Sequence, residues 1–246
     1  MRVPACFGVF CLCFAFPGSI VAKEKLVISA IENAPNACVA RLVLDKAYDE
    51  LGIATEYHYA SGKQALAISA RGEVDGELAR IGAVAERFPT LVKVDAPIFM
   101  LQTAFFTVVE GGEKALSEED LASSKLGQLD GIVRFDQITK EHSNVWHGRS
   151  YVELFERLQA GQLDVVIGDL IAGQMTLSRM GLANIEVVGG AIHREPLYHY
   201  LHEKNAELAT DIEAVLGRMN DSGELIEIIE KSIADIISGA VTCELG

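Results

Sequence analysis

The chain has 246 residues, half of them hydrophobic, with 35 Asp and Glu against 21 Lys and Arg and a formal net charge of -14 at pH 7. That length suits one large domain or two small ones and leaves ample apolar material for a core. The acidity argues against nucleic acid, whose phosphates demand a basic face, and against adhesion to an anionic membrane.

Residues 1–22 read as a secretory signal. Arg2 precedes an apolar run from Ala5 to Phe16, Pro17-Gly18 breaks it, and cleavage is expected near Ala22. The run is shorter than the ~20 apolar residues that span a bilayer, so a soluble, periplasmic protein is expected. Cys6, Cys11 and Cys13 leave with the signal. Cys38 and Cys243 remain, either as a candidate disulfide in an oxidising compartment or as two unpaired thiols.

Lys25 to Ala30 reads as a first strand. A helix follows from Ala37 to Gly52, with Val39, Leu42, Val43 and Ala47 on one face. Thr55 to Tyr59 alternates like a strand, and Ser61-Gly62 opens a helix from Lys63 to Arg71. Asp75 to Ile81 and Leu91 to Val94 read as strands, and Pro97 is expected to break the pattern. Ile98 to Val109 is an apolar run of strand type, longer than the usual ~5–6 residues, which suggests a segment leaving one sheet for another. Ser117 and Ser150 have the position and following acidic residues of helix N-caps. Leu126 to Ile132 reads as strand then turn, while Ile138 to Trp146 is ambiguous. Gln174 to Met180 reads as helix, and Ile185 to Val188 as a strand ended by Gly189-Gly190. Leu197 to His202 alternates again, and two amphipathic helices finish the chain.

One pattern occurs twice. Gly72-Glu73-Val74-Asp75 aligns with Gly161-Gln162-Leu163-Asp164, each after a helix and before an apolar strand. Five residues past each aspartate stands a charge, Arg80 in the first copy and Asp169 in the second. The repeat predicts two similar lobes presenting opposite charges to one cleft. Strands alternating with helices predict largely parallel sheets. The last two helices return to the first lobe, so the chain crosses between lobes twice. The expected organisation is a first lobe over 23–100, a second over 101–198, and a return to the first over 199–246.

The order of these pieces, from signal through Gly-Glu-Val-Asp-Gly and Gly-Gln-Leu-Asp-Val-Val-Ile-Gly-Asp to Pro-Leu-Tyr-His-Tyr-Leu-His and two helices, resembles the periplasmic solute-binding proteins of the polar-amino-acid type that serve ABC importers. The resemblance covers about residues 23–237. It implies an α/β fold of the two-lobe, type II periplasmic-binding-protein kind, each lobe a mostly parallel sheet flanked by helices, with two hinge crossings. It also implies an arginine twelve residues past the first aspartate, here Arg87, holding a ligand carboxylate, and an aspartate five past the second, here Asp169, holding an ammonium. Arg80 competes with Arg87 for the anion, because Arg80 has the internal symmetry with Asp169 and the carboxyl end of its strand, where open α/β sheets bind ligands. Three departures mark a divergent branch: Gly82 near the expected hydroxyl, Gly131-Ile132 in the anion loop, and Ser61-Gly62 where an aromatic often stands, with Tyr57 and Tyr59 close by. If Gly82 leaves space, Arg80 could fill it.

The expected ligand contacts are therefore Arg80, Asp169, Arg87, Glu32, Tyr59 and Gly131. Asp75 and Asp164 are expected to close turns, and Trp146 either lines the cleft or packs. The histidines lack a spacing that converges on a metal, and no catalytic constellation or cofactor motif is defensible. The leading expectation is a monomeric, non-catalytic exported binding protein that captures an amino acid or related small carboxylate for an ABC permease. The alternatives are a ligand-sensing subunit of a membrane sensor and a periplasmic enzyme, dehydratase or wall-active, using Glu32 or Glu77 as acid or base.

Overall fold

The computed structural model describes residues 25–109 and 117–241. The expected signal segment and Cys243 lie outside them. Cys38 is fully buried and disulfide-bonded. Among the described residues, no helix is long and apolar enough to cross a membrane.

The first half contains β1 (Lys25–Ile31), α1 (Pro35–Glu50), β2 (Ala54–Ala60), α2 (Gly62–Ala70), β3 (Gly76–Ile81) and α3 (Val84–Arg87). The second contains α4 (Glu118–Ser123), β5 (Leu126–Leu129), α5 (Val133–Ile138), β6 (Val145–Gly148), α6 (Tyr151–Gln159), β7 (Val165–Asp169) and α7 (Leu170–Met180). Two long strands, β4 (Leu91–Val108) and β8 (Ile185–His202), join the halves, and α8 (Glu207–Ser222) and α9 (Glu224–Ser238) close the chain. Both expected N-caps form. The Ser117 hydroxyl accepts from the Asp120 amide in a reciprocal capping box, and the Ser150 hydroxyl accepts from the Glu153 amide. The apolar stripe of α6 buries Leu154, Phe155 and Leu158, and that of α8 buries Ile212, Val215, Leu216 and Met219.

The strand order is β2-β1-β3-β8-β4-β7-β5-β6. The strands β2, β1 and β3 form one parallel triplet, and β6, β5 and β7 form another. The two long strands run antiparallel to each other, and each is antiparallel to the triplet strand beside it. The backbone ladder is therefore continuous rather than two separate sheets, and β4 does not leave one sheet for another. The division into lobes lies in the packing. One core gathers Ile28, Val43, Leu44, Leu78, Ile212 and Leu216 between the first triplet, α1 and α8. On the other side, Phe106, Leu154, Phe155 and Val166 pack on one face of the second triplet, and Phe105, Leu126, Phe135 and Ile167 on the other.

Four local expectations are corrected. Pro97 does not end β4, because the pairing with β8 shifts register on both sides of it and continues. Gly189-Gly190 does not end a strand. Both take φ 69° and sit in an irregularity where Ala104 pairs with Ala191 while Phe105 pairs with Val188. The ambiguous 138–146 region yields the end of α5 and the start of β6, elements too short to show periodicity. Finally, α7 starts at Leu170, directly after β7, rather than at Gln174.

Candidate functional site

The duplicated pattern makes the same turn twice. Gly72 and Gly161 take φ 71° and 68°, a conformation open to glycine at little cost. The following aspartates then bind a neighbouring strand in the same way. Asp75 donates its amide to the Val27 carbonyl at 2.7 Å and accepts the Val27 amide on Oδ2 at 2.8 Å. Asp164 donates its amide to the Lys125 carbonyl at 2.9 Å and accepts the Lys125 amide on Oδ2 at 2.8 Å. Each aspartate thereby sets where its strand, β3 or β7, starts beside β1 or β5. Five residues later these strands deliver Arg80 and Asp169.

Arg80 and Asp169 line one cavity of about 460 Å³, together with Arg134, Asn36 and a largely apolar wall that includes Ile31, Leu101, Ile132 and Leu197. The volume is that of a small-molecule site, and residues of both lobes contribute. Neither charge stands alone. Arg80 Nε donates to Glu77 Oε1 at 2.6 Å, and its Nη2 donates to the Gly62 carbonyl at 2.8 Å. Arg134 Nη2 donates to Asp169 Oδ1, and Arg134 Nε donates to Thr103 Oγ1 at 3.0 Å. The Asp169 backbone amide donates to the Tyr151 hydroxyl at 2.7 Å. Both guanidiniums are largely covered, with side-chain exposures of 14% for Arg80 and 17% for Arg134.

Beneath Arg80 lies a buried polar group. The Ser29 hydroxyl donates to the Glu77 carboxylate, and Ser69 Oγ lies 3.2 Å from the same oxygen. Burial raises the Glu77 carboxyl above its ordinary value, against the opposing influence of Arg80 and the serines. Burial likewise raises Asp169, opposed by Arg134. The Glu77 side chain is fully covered and is not among the residues lining the cavity.

The other expected contacts lie elsewhere. Arg87 is exposed at the end of α3, and Glu32 is exposed in the loop after β1; neither lines the cavity. Tyr59 is half-buried on β2 beside Tyr57, ring centroids 6.4 Å apart, and also stands outside it. Gly131 forms an exposed turn at φ 75°; it is Ile132 and Arg134 just beyond it that reach the cavity. The space beside Gly82 is met by the Tyr198 ring, at 3.6 Å from where a Cβ would stand, and not by Arg80. Trp146 packs with the second-lobe core and lies under the Arg157 guanidinium, 4.1 Å from its ring centroid.

Sequence reasoning missed Arg134. The available signal was a cation three residues past Gly131, in the loop already marked as departing from an anion-binding pattern.

No family model matches the chain, and no curated protein matches it. Solved structures do. An ancestral cationic amino acid solute-binding protein superposes with a TM-score of 0.66 at 16% identity, covering 85% of this chain and 96% of that one. The VFT2 domain of Bordetella pertussis BvgS gives 0.65 at 15% identity, over 84% and 92% of the two chains. An amino acid ABC transporter substrate-binding protein from Streptococcus pneumoniae, bound to L-arginine, gives 0.61 at 17% identity, over 87% and 97%. The fold is the two-lobe, type II periplasmic-binding fold.

Proposed function

We propose that the protein is an exported solute-binding protein that captures an amino acid or related small carboxylate between its lobes and presents it to an ABC permease. The observation that carries this reading is the shared cavity, with Arg80 from β3 on one side and Arg134 and Asp169 on the other. A ligand enclosed there loses its water, and its charge must then be met by fixed protein charges. Arginine suits a carboxylate because its planar fork donates in pairs. The expected residence of the mature protein is the periplasm, as a monomer and without a cofactor.

The similarity to the BvgS VFT2 domain, and to a sensor domain of a histidine kinase at TM-score 0.61, favours a second reading in which closure reports the ligand to a membrane sensor. A sensor gene beside this one would favour that role, and a permease gene would favour import. An enzymatic reading draws less support. Glu77, the candidate acid or base with a raised pKa, is enclosed by Ser29, Ser69 and Arg80 and does not line the cavity.

Titration calorimetry of the mature protein against a panel of amino acids and small carboxylates tests the reading. At least one member is expected to bind at roughly micromolar strength, about -8 kcal/mol. Arg80→Ala is expected to weaken that ligand by about tenfold or more, the loss of one charge-assisted hydrogen-bonded contact. Absence of binding across the panel overturns the proposal.

A further inference from the structure

We propose that the cleft selects a small carboxylate with an apolar body and no ammonium group, an inference that rests on the cavity between the lobes being the ligand site. Among the described residues, Asp169 is the acidic side chain lining that cavity, and its Oδ1 is already taken by Arg134. An ammonium approaching the remaining oxygen would have a guanidinium beside it, and like charges at that range oppose each other in a poorly solvated site.

A carboxylate meets the reverse situation. Arg80 and Arg134 reach the cavity from the two lobes, and each keeps donors in reserve. Arg80 commits Nε to Glu77 and Nη2 to Gly62. Arg134 commits Nε to Thr103 and Nη2 to Asp169. Nη1 of each is without a hydrogen-bond partner among the described residues. A guanidinium carries five donors in a plane and can serve two carboxylates at once. An anion placed between them would therefore hold the lobes together through both Nη1 groups without displacing any existing bond.

The rest of the wall sets the ligand's body. Ile31, Leu66, Ile81, Leu101, Ile132 and Leu197 line the cavity, with Asn36 as a polar side chain among them. Apolar ligand surface is stabilised by burial there, whereas a second charged group would be desolvated without a free opposite charge.

Matched ligand pairs test this on the mature protein: isocaproate against leucine, and hydrocinnamate against phenylalanine, each differing only in the amino group, measured by calorimetry. The acids are expected to bind at least about tenfold more tightly than the amino acids, one charge-assisted contact's worth of discrimination. Arg134→Ala is expected to weaken the acids by about tenfold and to shrink or reverse the preference, because it frees Asp169. Should that variant fail to fold, Arg134→Gln, which keeps a donor for Thr103, takes its place with the same expectation. Equal or tighter binding of the amino acids overturns this inference and leaves the cleft reading standing. Binding of the acids that neither Arg80→Ala nor the Arg134 variant alters places the ligand elsewhere and overturns both. Failure of all four ligands to bind overturns the inference as well, and the wider panel then decides the cleft reading separately.

Discussion

At the scale of single residues, the first lobe is held by polar groups in places where water does not reach. His199 is fully buried on β8. Its Nδ1 faces the Glu77 carbonyl at 2.9 Å, and its Nε2 faces the Tyr48 hydroxyl at 2.8 Å. A carbonyl only accepts, so Nδ1 carries the proton and Nε2 accepts from Tyr48. Charging the ring would require a second N–H where a hydroxyl donor already points. Burial accordingly lowers His199 from 6.5 to about 4, opposed by its bonds to the Glu77 and Leu78 carbonyls. Because the folded value lies below the unfolded one, the unfolded chain binds the extra proton first. The stabilisation is complete above about pH 6.5 and is lost as pH falls toward 4. Urea unfolding from pH 7 to pH 4 should show a loss from this residue on the order of 3 kcal/mol. In His199→Gln that part of the slope should vanish, even if the variant starts less stable. An unchanged slope would show that His199 does not titrate in this window.

At the scale of elements, the site depends on irregular strands. Residues three apart on a regular strand face opposite sides, yet Arg80 and Glu77 form an ion pair. The reason lies in the pairing of β3 with β8, where Glu77 sits opposite Tyr200 and Arg80 opposite Tyr198. Three steps on one strand match two on the other, and the bulge turns Arg80 back to the side of Glu77. A second irregularity lies in β8 at Gly189-Gly190, both at φ 69°, where an added Cβ would meet no atom within 4 Å among the described residues beyond its immediate chain neighbours. Space is therefore not the constraint there; backbone conformation is. Gly189→Ala and Gly190→Ala should each cost about 1–2 kcal/mol, the penalty of an L-residue in the left-handed region, read as a lower denaturation midpoint with an unchanged slope. No change in midpoint would mean that this part of β8 relaxes freely.

At the scale of the whole molecule, the lobes share a ladder, while their cores are largely separate. The strands β4 and β8 carry hydrogen bonds from one lobe to the other, and their register shifts at Lys93 to Phe99 and Thr103 to Phe105 interrupt the regular pairing there. Ile171 of α7 joins the first-lobe core, so the second lobe also leans on the first away from the strands. Motion of such a pair is expected as hinge bending about the two long strands. Small-angle scattering with saturating ligand should show a smaller radius of gyration than without it. Arg134→Ala should reduce that contraction at equal ligand concentration, since it removes a second-lobe donor. An unchanged radius in the wild-type protein under full saturation would argue against closure.

Local chemistry was readable from the chain alone. The paired Gly-x-x-Asp turns, the Ser117 and Ser150 caps and the amphipathic faces of α6 and α8 each depend on residues a few positions apart, and the two-lobe architecture followed from their repetition. Arg80 and Asp169 were legible for the same reason, as equivalent positions in two copies. Their partners were not. Arg134 stands on a six-residue helix with too few positions to show a period, and its bond to Asp169 joins residues 35 apart in the chain. The Glu77–Arg80 pair depends on a bulge set by β8, more than a hundred residues away. Turns and caps are decided by short-range hydrogen bonds, which neighbouring residue types specify. The charge state of a cleft is decided by which side chains the folded backbone brings within reach, and only the tertiary structure supplies that.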